Sequence, residues 1–192
     1  MSATISSAAT AANDPPRGIG GPTPGAATQY LTFMLDGAQY ALGILAIKEI
    51  IEYGRVTVVP MMPAWVRGVI NLRGAVVPVM DLSARFGRPP STVTKRTCIV
   101  VVEVENHGER QNVGVMVDAV NAVLDVLPAD IEPPPTLGSL IRSEFISGMG
   151  KVDGRFVIIL DAERVLSEED LGSAAGGEPE RPVPATTAPR MG

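Results

Sequence analysis

The chain has 192 residues, a formal net charge of −5, one cysteine and one histidine, which suits one domain or two small ones. The acidic balance argues against sequence-independent nucleic-acid binding, which needs a basic surface to neutralise phosphates. A lone cysteine excludes an intrachain disulfide and a cysteine cluster for zinc, and no apolar run approaches the ~18 residues of a membrane span. The first twelve residues also lack the basic start and apolar run of a signal peptide. No direct membrane insertion is expected, and a cytoplasmic location is the simplest fit.

All eight aromatic residues fall between Tyr30 and Phe156. Residues 1–28 and 172–192 hold eight of the seventeen prolines and no aromatics. Such segments bury too little surface to offset the entropy of ordering them, so both read as disordered tails around a folded part over residues 29–171. The tails carry equal numbers of basic and acidic groups, which assigns the net charge to the folded part.

Tyr30 to Leu35 reads as a strand with Leu31, Phe33 and Leu35 on one face. Asp36-Gly37 gives a hairpin signal, and Gln39 to Ile44 returns. Leu45 to Tyr53 places Ile47, Ile50 and Ile51 at near-helical spacing, which predicts a short helix or turn presenting Lys48, Glu49 and Glu52. Val56 to Val59 is another strand, ended by Pro60 and Pro63, and Pro63 to Arg67 fits one helical turn with Trp65 inward.

Val69–Leu72 and Ala75–Met80 are short apolar runs joined by Arg73-Gly74, where glycine accepts the positive φ of a tight hairpin. Pro78 lacks a backbone donor, so the second run should be an edge strand or carry a bulge. Arg73 is then a cation at the tip of an otherwise uncharged hairpin. Asp81 to Gly87 fits a short helix capped by Asp81 and ended by Gly87.

Thr97 to Val104 is β-branched almost throughout, as befits a central strand buried on both faces. Asn106-His107-Gly108 marks a turn, and Asn112 to Val117 returns. Asp118 to Leu127 shows neither a clean helical nor a clean strand period. Leu137 to Arg142 fits a helical turn, Asp153-Gly154 joins a last hairpin, and Asp161 caps a closing helix. Nine or ten short strands with Gly- and Pro-rich turns and brief helices predict a mainly β protein, closed into two small barrels.

Catalytic chemistry finds little support. His107 sits on a hairpin tip, and Cys98 lies mid-strand in an apolar run, the setting of an inert thiol. No Asp/Glu cluster has calcium-loop spacing. Gly148-Met149-Gly150-Lys151 lacks the hydroxyl residue and the following helix of a phosphate loop. Neither an enzyme active site nor a metal or other cofactor is expected.

The ordered segments Ile47-Lys-Glu49-Ile50, Pro63-x-x-x-Arg67-Gly-Val-Ile-Asn-Leu-Arg-Gly74, Val77-Pro-Val-Met-Asp-Leu-Ser-Ala-Arg-Phe-Gly87 and Val115-Met-Val-Asp118-Ala-Val120 resemble the CheW family of bacterial chemotaxis coupling proteins. Gly148-Met-Gly150 with Val157-Ile-Ile-Leu-Asp161 extends the resemblance, which covers about Gln29 to Leu166. It implies two side-by-side five-stranded SH3-like barrels with short connecting and C-terminal helices. It further implies a non-enzymatic scaffold, joining the cytoplasmic tips of methyl-accepting chemoreceptors to the histidine kinase CheA.

Carried over by residue, the resemblance implies a receptor-binding groove between the barrels. Ile47, Glu49 and Ile50 form one wall, Arg73 stands at the hairpin, and Cys98, Ile99, Val120 and Val123 supply apolar lining. A Glu49–Arg73 pair is expected to hold the hairpin to the groove. Gly68 and Val69 fall at the kinase-facing positions, and Leu137 at a contact between array units. The competing reading is a CheW-like adaptor or kinase regulatory module in a non-flagellar pathway.

Overall fold

A computed structural model describes residues 25–106, 108–134, 141–152 and 154–167. His107, Leu137, Asp153 and almost all of both tail segments lie outside the described residues.

Strands β1 (Thr28–Leu35) and β2 (Ala38–Gly43) form the first hairpin. Asp36 and Gly37, at φ 49° and 76°, make the turn whose twist matches two paired strands. A 3-10 turn at Ile44–Ala46 leads to β3 (Ile47–Glu52). The helix expected over Leu45–Tyr53 is therefore a strand. A β-bulge at Lys48 gives Ile47 and Ile50 one common face despite their three-residue spacing, so a bulged strand mimicked a helical period.

Val56–Val59 contributes only a bridge from Thr57 to Val69, and the helical turn expected over Pro63–Arg67 is instead a non-helical turn at Ala64–Trp65 that runs straight into a strand at Val66. β4 (Val66–Leu72) and β5 (Ala75–Asp81) make the expected hairpin, with Arg73 at φ 53° and Gly74 at φ 92°. β5 is not an edge strand, because β4 and β7 flank it. Nor does it carry a bulge, which falls instead on β4 at Arg67; Pro78 is accommodated because pairing with β7 starts only at Val79, one residue later. The Asp81 side chain accepts from Ser83 N and Ala84 N to cap α1 (Leu82–Arg85), and Gly87 follows at φ 76°.

β6 (Cys98–Asn106) and β7 (Glu109–Val117) pair along their whole length. The undecided stretch after Asp118 is β8 (Ala119–Val126), followed by the two-residue β9 (Ile131–Glu132). β10 (Ile146–Val152), β11 (Arg155–Leu160) and α2 (Ala162–Val165) complete the described chain.

Two sheets result, ordered β8-β1-β2-β11-β10-β9 and β3-β6-β7-β5-β4. The chain starts the first sheet, builds all of the second, and returns to finish the first. The second has the expected five strands, and the first gains β9 as a sixth. Leu31, Phe33, Leu35, Tyr40 and Leu42 of the first sheet meet Val100, Val102, Val104, Val113, Val115 and Val117 of the second in one shared core. Behind it the second sheet encloses Ile70, Val77, Val79, Ile99, Val101 and Met116, and the first encloses Ala41, Val157 and Ile159. β6 feeds both cores through alternate residues, which is why its first five residues, Cys98 to Val102, are apolar without interruption.

The two barrels repeat one unit. Gly68, Gly74, Val77 and Asp81 recur as Gly148, Gly154, Val157 and Asp161. Both copies run hairpin, aspartate cap, one-turn helix. In each, the aspartate amide donates to the carbonyl of an aromatic residue, Trp65 in one and Phe145 in the other. Each hairpin carries a bulge just before its first glycine, at Arg67 and at Ser147. Each second strand also pairs in parallel with a strand from elsewhere in the chain.

Candidate interaction site

β8 and β3 are edge strands of their respective sheets, and both border the shared core. Ile47 and Ile50 pair with Val102 and Val100, whose side chains belong to that core. On the first sheet's edge strand Val120 and Val123 pair with Phe33 and Leu31, again with a bulge in between. Thr32 closes this second bulge, its hydroxyl donating to Ala122 O at 2.8 Å and accepting from Ala122 N at 3.3 Å. Both edge strands thus use an extra residue to bring apolar side chains three apart onto one face. That leaves Ile50 43% and Val123 46% exposed, while Ile47, Cys98 and Val120 pack half-buried against the core beneath.

Ile99 differs from this group. It is fully buried in the second sheet's own core, so it supports the wall from behind and offers no surface. Cys98, its neighbour, faces the shared core and donates its thiol to Arg96 O at 3.3 Å.

The hairpin tip lies over the same wall. Arg73 Nη2 donates to Glu49 Oε2 at 3.0 Å, the pair expected from the sequence. The Arg73 side chain is 80% exposed and that of Glu49 24%, so the contact fixes geometry more than it adds stability. The adjacent bulge residue is tied down as well. Lys48 Nζ lies 2.8 Å from Glu103 Oε2, and Arg110 approaches the other carboxylate oxygen at 3.4 Å. The hydrogen bond from Lys48, aided by the charges of Lys48 and Arg110, holds the Glu103 carboxyl below the usual carboxylate range.

Gly68 is buried at φ 139°, and a Cβ there would stand 2.1 Å from Thr57 O. Its role is internal: it lets Thr57 and Val69 exchange two backbone hydrogen bonds of 2.8 Å. Val69 is half-buried, and the segment bridged to it leads into exposed apolar residues that the sequence reading missed. Val58, Met61 and Val76 are 77%, 99% and 72% exposed, and Met62 is partly so. Pro60 and Pro63 bracket the two methionines, which was the available signal, since prolines so spaced interrupt regular strand or helix pairing and mark a turn. On the other barrel Phe156, the counterpart of Val76 in the repeated unit, is 53% exposed. With Glu132, Pro133 and Met149 it lines a shallow hollow. Leu137, the expected contact between array units, lies outside the described residues.

A family model for the CheW-like domain matches residues 29–170. The chain belongs to that family. It is 34% identical over 146 residues to a probable chemotaxis protein CheW of Rhizobium etli, covering 76% of this chain and 92% of that one. To the chemotaxis protein CheW of Klebsiella aerogenes it is 34% identical over 143 residues, covering 74% and 84%. The crystal structure of the scaffolding protein TtCheW from Thermoanaerobacter tengcongensis superposes with a TM-score of 0.66 at 33% identity, covering 76% of this chain and 89% of that one. The double barrel is the CheW-like pair of SH3-like β units, and the protein is a chemotaxis coupling scaffold. No helix among the described residues is long and apolar enough to cross a membrane.

Proposed function

We propose that the protein bridges the cytoplasmic tips of methyl-accepting chemoreceptors to a CheA-type histidine kinase, and does so by contact alone, without catalysis or a cofactor. It works in the cytoplasm, recruited to receptor clusters. The bulged cleft carries this reading: apolar side chains from the edge strands of both barrels stand half-exposed over one core, the form of site that accepts the apolar face of a helix. Ile47, Ile50, Cys98, Val120 and Val123 supply the apolar surface, and Glu49 with Arg73 orients the hairpin beside it. Ile99 acts only as support.

The kinase side is the β4 surface around Val69, with Gly68 holding that strand against Thr57. Phe156, Met149 and the loop bearing Leu137 form the contact between array units. Co-sedimentation with receptor-containing membranes and CheA tests the assignment. Wild-type protein is expected to enter the pellet with both and to raise receptor-dependent kinase phosphorylation. Arg73→Ala and Glu49→Ala, while folded, should lose receptor association and keep kinase binding. Wild-type protein that binds neither component overturns the proposal.

A further inference from the structure

We propose that Met61 and Met62 form a reversible oxidation site that lowers kinase association, an inference resting on the assignment of the β4 surface to the kinase. Met61 is 99% exposed and Met62 37% exposed, in contrast to Met80 at 2% and Met116 at 0%. Peroxide therefore reaches the first two thioethers and not the last two. Met61 also holds φ at 62°, a left-handed conformation unfavourable for a side chain of its size. The bracketing prolines keep the pair on a turn, away from any core.

The turn follows closely on a segment held to the proposed contact surface. Thr57, four residues before Met61, is hydrogen-bonded to Val69 in both directions, and Val58 and Val76 are likewise exposed apolar side chains, one beside that bridge and one on the strand paired with β4. Hydrogen peroxide transfers one oxygen to the methionine sulfur as its O–O bond breaks. The thioether is oxidised by two electrons to the sulfoxide, and the peroxide is reduced to water. The product places a strong polar acceptor where an apolar, flexible side chain stood. Methionine sulfoxide reductases reverse the change at the expense of a dithiol.

The full-length protein is treated with graded hydrogen peroxide, mapped by peptide mass spectrometry, and titrated against CheA before and after treatment. Each protein is compared with its own untreated sample. Wild type is expected to gain oxygen at Met61 and Met62 before Met80 and Met116, and to lose about ten-fold in affinity. Reductase and dithiothreitol should restore it. In Met61→Leu/Met62→Leu the treated-to-untreated ratio should stay near one, whatever its starting affinity. Oxidised wild type that binds as before overturns the oxidation site and leaves the kinase assignment standing. Untreated wild type that fails to bind CheA overturns both.

Discussion

At the residue scale, two glycines in one hairpin show how differently the same residue type acts. At Gly68 a Cβ would meet Thr57 O at 2.1 Å and Thr57 C at 2.8 Å, while at Gly74 it would meet nothing within 4 Å. Gly68→Ala must therefore push β4 away from the Thr57 segment hydrogen-bonded to it, and Gly74→Ala bears only the cost of a positive φ. Urea unfolding should give a loss of about 2–3 kcal/mol for the first and about 1 kcal/mol for the second. Equal losses would mean that the Thr57–Val69 bridge adds nothing. Arg73→Ala should leave stability within about 1 kcal/mol of wild type, because its ion pair is largely solvated. Any receptor defect in that variant then reports on contact rather than on folding.

At the element scale, the cleft and the core are distinguished by which face a bulged strand presents. Ile50→Asp and Val123→Asp change residues that are 43% and 46% exposed on the two bulged edge strands. Both variants should fold, as judged by near-ultraviolet circular dichroism, and both should lose receptor co-sedimentation at least ten-fold. Ile99→Ala, one position from Cys98 but on the opposite face, should instead cost about 2–4 kcal/mol of stability and leave the wall's surface composition unchanged. Receptor binding that survives both aspartates would remove the cleft as the site.

The same bulges explain what was legible in the chain. The Asp36-Gly37 and Arg73-Gly74 turns, the β6 run, and the Asp81 and Asp161 caps are local signals, and each stands where the sequence put it. A bulge breaks the two-residue period that identifies a strand, so β3 resembled a helix and β8 resembled nothing regular. The Glu49–Arg73 pair was readable through the resemblance, whereas the surface of Val58, Met61, Met62 and Val76 was not. Apolar residues exposed by tertiary placement look, in sequence, like residues that should be buried. The internal repeat also escaped notice, since its two copies share only a few fixed positions amid divergent apolar ones.

At the scale of the whole molecule, the route of the chain makes two barrels into one folding unit. The first sheet is closed by segments from both ends of the fold, and the second lies between them in sequence. The larger part of the buried apolar surface belongs to neither barrel alone, because the two sheets contribute jointly to the shared core. A barrel that unfolded by itself would expose that core and leave the other with an uncovered apolar face, so independent melting is strongly disfavoured. Phe33→Ala in the first sheet and Val100→Ala in the second each remove a fully buried side chain from the common cluster. Both should lower one and the same urea transition, by about 3–5 kcal/mol for the phenylalanine and somewhat less for the valine. Trp65, the single tryptophan, packs on that core with the Arg85 guanidinium 4.6 Å above its ring, and so reports from the junction. Its fluorescence and the far-ultraviolet circular dichroism should give coincident transitions in wild type and in both variants. Two separated transitions, with each variant shifting only its own, would show two autonomous barrels. The cleft would then be a gap between independent domains, free to widen, rather than a groove of fixed width held open for a helix.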